Sequence, residues 1–160
     1  MAEVERPMKD RNERECRLAC FVLPVRDGRV LLARHTYAYS DLWAMVGGMA
    51  EGVEAIDAAA RREVAEETGL AVSTERLIAV LDREDIMIFV FVGSVLGGDE
   101  SRHAEEIAEL RWFAMDELPN ANVLDLVVQL GPFLSTESGL PSVSIAFPDS
   151  PRRGFAAVTA

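Results

Sequence analysis

"GMAEGVEAIDAAARREVAEETGL", residues 48–70, holds six carboxylates in 23 residues, and three of them, Glu63, Glu66 and Glu67, fall within five positions. From about residue 53 to residue 68 the stretch is rich in alanine and free of proline and glycine, which predicts a helix. Gly69 stands where a left-handed C-cap is expected. Ile56, Ala59, Ala60 and Val64 recur at helical spacing and give the helix a stripe to bury. At roughly 100° per residue, Glu63, Glu66 and Glu67 share an arc of about 100°. Like charges at this spacing destabilise an isolated helix. Arg62, four residues before Glu66, can pair with a carboxylate and orient it, but one cation cannot neutralise three anions. Hard divalent ions such as Mg²⁺ and Mn²⁺ seek oxygen ligands and would relieve the repulsion directly. The alternative is a solvated acidic face, the usual meaning of an isolated run of this kind.

The rest of the chain bounds the choice. Its 160 residues, 49% hydrophobic, suit one domain with a core that needs neither disulfides nor a structural metal. Sixteen basic against twenty-seven acidic residues leave a net charge of -11, so the averaged field repels nucleic-acid duplexes and anionic membranes. A polyanionic substrate would need metal ions as intermediaries. Cys16 and Cys20, the only cysteines, match no zinc spacing or disulfide framework and are expected to be buried, reduced thiols. The opening "MAEVERPMKDRNERECR" has no apolar signal core, and no later run approaches the length of a membrane span. A soluble, cytoplasmic protein is expected.

Working outward from the helix, "CRLACFVLPVRDGRVLLARH" contains two β-type runs joined by Asp27-Gly28, a hairpin signal. Pro24 cannot donate to a ladder, which predicts a strand end, an edge or a bulge there. "TYAYSDLWAMV" reads as a loop and a short apolar stretch that stops at Gly47 and Gly48. After the helix, "LAVSTERLIAVLD", "DIMIFVFVGSVLGG" and "AELRWFAM" read as strands. "DELPNANVLDLVVQLGPFL" reads as a turn and a second helix that Gly131 and Pro132 end or kink. The expected organisation is a polar leader over residues 1–15, one domain over 16–135, and a Ser/Pro/Gly-rich tail over 136–160 that is disordered or an arm on a partner.

Residues 48–70 resemble the Nudix box of the Nudix hydrolase family at each of its defining positions: Gly48, Glu54, then Arg62, Glu63, Val64, Ala65, Glu66, Glu67, Thr68, Gly69 and Leu70. Chance produces such a match on the order of once per million chains of this composition. The hairpin and "LWAMVGG" before the box, and the strands and "EIAELRWFAMDELP" after it, also follow the family's pattern. The resemblance implies an α/β fold, a Nudix-type α/β/α sandwich with a mixed central β-sheet. It implies hydrolysis of a nucleoside diphosphate linked to a further moiety, with Mg²⁺ or alternatively Mn²⁺ as cofactor. Carried over residue by residue, Glu63, Glu66 and Glu67 would be metal ligands, with the Gly47 carbonyl completing the set. Arg62 and Glu54 would hold the loop and helix in register. A general base outside the box would come from Glu105, Glu106 or Glu109, with Glu109 or Glu106 preferred, although such a run is also what a solvated surface looks like.

The chain departs from the family in lacking a proline before its paired glycines. Near the positions that mark substrate branches it reads Asp85, Ile86, Met87 and Ile88, with neither the proline of the ADP-ribose branch nor the tyrosine of the dinucleoside polyphosphate branch. This favours a (deoxy)nucleoside triphosphate or modified nucleotide pyrophosphohydrolase releasing a nucleoside monophosphate. An ADP-ribose or nucleotide-sugar pyrophosphatase is the alternative, and a catalytically inert nucleotide-sensing domain is a reading of another class. Arg34 and Trp43 are candidates for substrate contact, Arg34 at a phosphate and Trp43 against a base, with a strand-end charge and a core residue as their plain readings. His35 and His103 are expected on the surface. The partner is a small-molecule nucleotide, and a homodimer is the favoured assembly.

Overall fold

The computed structural model describes residues 16–37, 41–83, 85–134 and 144–145. The expected leader and all of the expected tail except residues 144–145 lie outside these. The order of elements is β1 (Arg17–Arg26), β2 (Arg29–His35), β3 (Val46–Met49), α1 (Ile56–Thr68), β4 (Leu70–Val72), β5 (Arg76–Arg83), β6 (Ile86–Gly98), β7 (Ile107–Ala114), α2 (Asp125–Leu134) and β8 (Ser144–Ile145), with short 3-10 turns at Glu100–Arg102 and Leu118–Asn120. The sheet runs β7-β2-β1-β6-β5-β8, with β3 also paired to β1 and β4 to β6. Its β1–β6 and β5–β8 pairs are parallel and the other strand pairs antiparallel, so the sheet is mixed.

Alternation along the strands builds two cores, one on each face. Cys20 and Val22 of β1, Leu31 and Ala33 of β2 and Val46 of β3 meet Ala59, Ala60 and Val64 of α1. The intervening Leu23, Val30 and Leu32 face the other way and pack with Leu126, Val127 and Leu130 of α2. The result is the expected α/β/α sandwich. No helix among the described residues is long and apolar enough to cross a membrane.

The hairpin forms as expected, with Asp27 and Gly28 both at positive φ and Arg26 opposite Arg29. Pro24, expected at a strand end, an edge or a bulge, instead lies inside β1. On one side β1 pairs with β3 through residues 19–22 and with β2 at Val25 and Arg26, and Pro24 falls between those two ladders, where neither asks it for a hydrogen bond. The second helix passes Gly131 and Pro132 and continues to Leu134. Leu134 is buried, and Arg76 donates to the carbonyls of Phe133 and Leu134 at 3.2 and 3.4 Å, which satisfies the last turn.

Two differences shape the site. The paired glycines do not terminate the apolar stretch; they are the middle of β3, where Gly47 pairs with Phe21 and Gly48 with Cys20. Gly47 has φ of 142°, and a Cβ there would lie 2.2 Å from the Cys20 carbonyl oxygen, an approach that only glycine allows. The box helix begins at Ile56, later than the sequence pattern suggested, because residues 51–54 form a turn in which the Glu51 N–H donates to the Glu54 carboxylate at 2.7 Å. It ends as expected at Gly69, which is left-handed with φ of 73°.

Candidate active site

Glu67 follows Ala60 by seven residues and Val64 by three, so the helix turns it into the same buried stripe, and it is only 6% exposed. Its Oε2 accepts the Gly47 N–H at 2.8 Å, which joins the end of α1 to β3. Burial pushes the carboxyl up to about 7; the Gly47 hydrogen bond opposes this, and the charges of Glu63, Glu106 and Glu66 add to it. The Glu67 carbonyl also accepts the Ala104 N–H at 3.0 Å and draws the segment before β7 towards the helix.

Glu63 lies one turn earlier with its carboxylate against the backbone of β3: a Cβ on Gly48 would stand 2.6 Å from Glu63 Oε2. Burial raises its carboxyl above the usual range, and Arg62 pulls it back. Glu66 is the exposed member of the three. Arg62 donates to Glu54 twice, at 2.8 and 3.3 Å, to Glu63 at 2.9 Å, to Glu66 at 3.2 Å and to the Met49 carbonyl at 3.2 Å. One guanidinium therefore staples the turn before α1 to the helix and holds two of the acids. That hydrogen bonding keeps the Glu54 carboxyl below its usual range. Beneath them the buried Cys20 thiol donates to the Gly48 carbonyl at 3.4 Å. Its own burial and the charges of Glu63 and Glu54 push it up to about 11, so Cys20 is a buried, unreactive thiol as expected, whereas Cys16, expected to be buried as well, is only partly so.

His35 overturns an expectation. It is 7% exposed rather than on the surface, and its Nδ1 lies 3.8 Å from Glu67 Oε1. Nε2 bonds the Met45 carbonyl at 3.3 Å, which makes Nε2 the protonated nitrogen. Burial holds the imidazole below its usual range and therefore neutral. The signal was present in the sequence: Leu31, Ala33 and His35 alternate along β2 and share the face that α1 covers. His103 is exposed.

The acids outside the box separate. The charge of Glu106 acts on Glu67, His35 and Tyr37, and its main-chain carbonyl accepts the Thr36 N–H at 2.8 Å. Glu105 is exposed. Glu109 is the cross-strand neighbour of Arg34 and pairs with it at 2.5 Å. The Arg34 guanidinium also lies 5.3 Å from the centre of the Trp43 ring. Trp43 is 8% exposed and meets Phe113 edge-on at 5.1 Å, within the core under α2. Arg34 follows Val30 and Leu32 on their side of β2, so the structure gathers Arg34, Trp43 and Glu109 on the α2 face, across the sheet from the carboxylates of α1.

Among the described residues no three His, Cys, Asp or Glu side chains converge into a ready cage for a metal ion, since Glu63 and Glu66 are turned to Arg62 and Glu67 to Gly47. The donor set nevertheless fits a hard divalent cation. It is all oxygen, and its two most buried carboxylates carry raised proton affinities that a cation would relieve.

The raised Glu67 carboxyl makes stability depend on pH. Between the ordinary value of 4.5 and about 7 the folded chain keeps a proton that the unfolded chain releases. Its contribution to stability is therefore complete below that window and lost as pH rises through about 7. Without divalent ions, Glu67→Gln is expected to stabilise the chain by about 3 kcal/mol at about pH 8 and by nothing at about pH 4. Urea titrations at the two pH values measure this, and an equal gain at both would contradict it.

The NUDIX domain profile matches residues 16–134. The putative 8-oxo-dGTP diphosphatase of Bacillus subtilis (strain 168) is 31% identical over 111 residues, 68% of this chain and 72% of that protein. The NAD-capped RNA hydrolase NudC of Vibrio atlanticus (strain LGP32) is 29% identical over 104 residues, 63% of this chain, so the chain spans about two fifths of that relative's length (39%). The crystal structure of a mutator MutT protein from Bacillus halodurans superposes with a TM-score of 0.71 at 20% identity, covering 88% of this chain and 95% of that one, and so shares the fold. A profile match over more than half of the chain, with relatives of this kind, means that the chain belongs to the NUDIX family.

Proposed function

We propose that the chain is a divalent-cation-dependent pyrophosphohydrolase that cleaves a nucleoside diphosphate linked to another moiety and releases a nucleoside monophosphate. A (deoxy)nucleoside triphosphate or modified nucleotide is the substrate favoured. The observation that carries this reading is Glu67, a buried carboxyl raised to about 7 and aimed by the Gly47 N–H, with Glu63 beside it. A chain has no stability reason to keep that charge dry; a cation gives it one.

In this reading Glu63, Glu66 and Glu67 would hold Mg²⁺ or Mn²⁺, with the Gly47 carbonyl as a further oxygen donor. When bound, such ions neutralise phosphoryl oxygens and lower the pKa of a bound water. Arg62 and Glu54 keep the turn and the helix in register. Arg62 also holds Glu63 and Glu66 by hydrogen bonds until a cation competes for them. Glu106 is favoured over Glu109 as general base, because its charge reaches Glu67 and His35 whereas Glu109 is engaged by Arg34 on the other face. The B. subtilis relative, by its name, supports a nucleoside triphosphate substrate. The NudC name raises an RNA end instead, but a net charge of -11 favours a free nucleotide over a polyanion.

The test is a hydrolysis screen with Mg²⁺ over (d)NTPs, oxidised nucleotides, nucleotide sugars, ADP-ribose, NADH and dinucleoside polyphosphates. Turnover of at least one, abolished by EDTA and restored by excess Mg²⁺, is expected. Turnover untouched by EDTA would overturn the cation-dependent reading. Tight nucleotide binding with no turnover across the panel would favour the inert sensor.

A further inference from the structure

Tyr37 stands at the outer end of a line of contacts that begins at Glu67. Glu67 Oε1 lies 3.8 Å from His35 Nδ1, and the His35 ring lies 5.4 Å from the Tyr37 ring, centre to centre, tilted by 58°. His35 is itself fixed from behind by the Met45 carbonyl. Tyr37 is 67% exposed, the only exposed Phe, Trp or Tyr among the described residues. The charges of Glu67, Glu106 and Glu63 all act on it, so the ring borders the acidic site rather than some remote surface.

A single exposed aromatic is unremarkable by itself. This one has a stiff backing, an open face and a position beside the carboxylates that would hold the cation and, through it, the phosphates. Trp43, the aromatic that the sequence put forward for a base, is packed under α2 on the other face of the sheet. We propose that Tyr37 is the nucleobase platform of this site, its ring stacking on the base of a nucleotide whose phosphates lie over Glu63 and Glu67. The inference rests on the nucleotide reading above. An aromatic platform of this kind accepts any base, because every base offers a π-face, and a roughly tenfold contribution to affinity is expected of it.

The probes are adenosine and guanosine 5′-monophosphates against ribose 5-phosphate, each titrated calorimetrically with Mg²⁺ into the full chain, Tyr37→Ala and Tyr37→Phe. The parent is expected to bind the better nucleotide roughly tenfold more tightly than ribose 5-phosphate. Tyr37→Ala should erase that preference and leave ribose 5-phosphate binding unchanged, and Tyr37→Phe should restore it. A preference that survives in Tyr37→Ala, or a Phe variant that behaves like Ala, would overturn the platform. A parent that binds both ligand types equally would overturn it while leaving the phosphate site standing; a parent that binds none would overturn it together with the nucleotide reading. Thermal melting of each variant controls for folding, which an exposed side chain should not disturb.

Discussion

If Glu67 is a metal ligand as proposed, Glu67→Gln is expected to lower turnover by about 10- to 100-fold or more while the chain stays folded, because a lost ligand costs at least as much as a lost supporting partner. Glutamine keeps the volume of the side chain and an oxygen that can accept the Gly47 N–H, so β3 and α1 remain joined. What disappears is the negative charge, which the helix places at 6% exposure against its own electrostatic interest. Steady-state kinetics on the best substrate of the screen, with a melt of the same preparation, check this. Turnover equal to the parent would remove Glu67 from the chemistry. The same variant becoming more stable above about pH 7 would tie the two halves together: the charge that weakens the fold would be the charge that the proposed reaction uses.

Gly47→Ala is expected to damage the fold severely, by about 4 kcal/mol or more. The new Cβ would meet the Cys20 carbonyl oxygen at 2.2 Å and the Phe21 Cα at 2.6 Å, and both are backbone atoms of the central strand that cannot turn aside. The residue would also be forced into φ of 142°. Gly52→Ala is the control, since its φ is also positive at 55° but nothing lies within 4 Å; it should cost about 1 kcal/mol. Urea midpoints for the two variants measure the difference. Equal midpoints would mean that the close approach of β3 to β1 is not what selects glycine at position 47.

The fold was legible because its signals are periodic and local. The hairpin turn at Asp27-Gly28, the stripe through Ala59, Ala60 and Val64 and the cap at Gly69 each depend on neighbours a few residues away. Where the reading differed, longer-range packing decided. Pro24 is tolerated inside β1 because two different strands pair with its flanks, and α2 passes Pro132 because Arg76, distant in sequence, satisfies the end of the helix. The acids of the box were legible as a group, with Glu67 and Glu63 preferred through the resemblance; that these two turn inwards on β3 while Glu66 stays exposed depends on where the helix docks. His35 could have been found by following β2 two residues at a time. Tyr37 follows the strand's end and carried no comparable pattern. Arg34, Trp43 and Glu109 lay close to the box in sequence or spacing, and alternation sent them to the opposite face.

The most direct test of the account is a Mn²⁺ titration followed by the electron paramagnetic resonance signal of the free ion, comparing the parent with the double variant Glu63→Gln/Glu67→Gln. The account predicts that the parent removes Mn²⁺ from solution, that Mg²⁺ displaces it, and that the double variant leaves the free signal untouched. Undiminished Mn²⁺ binding by a folded double variant, or none by the parent, would contradict it.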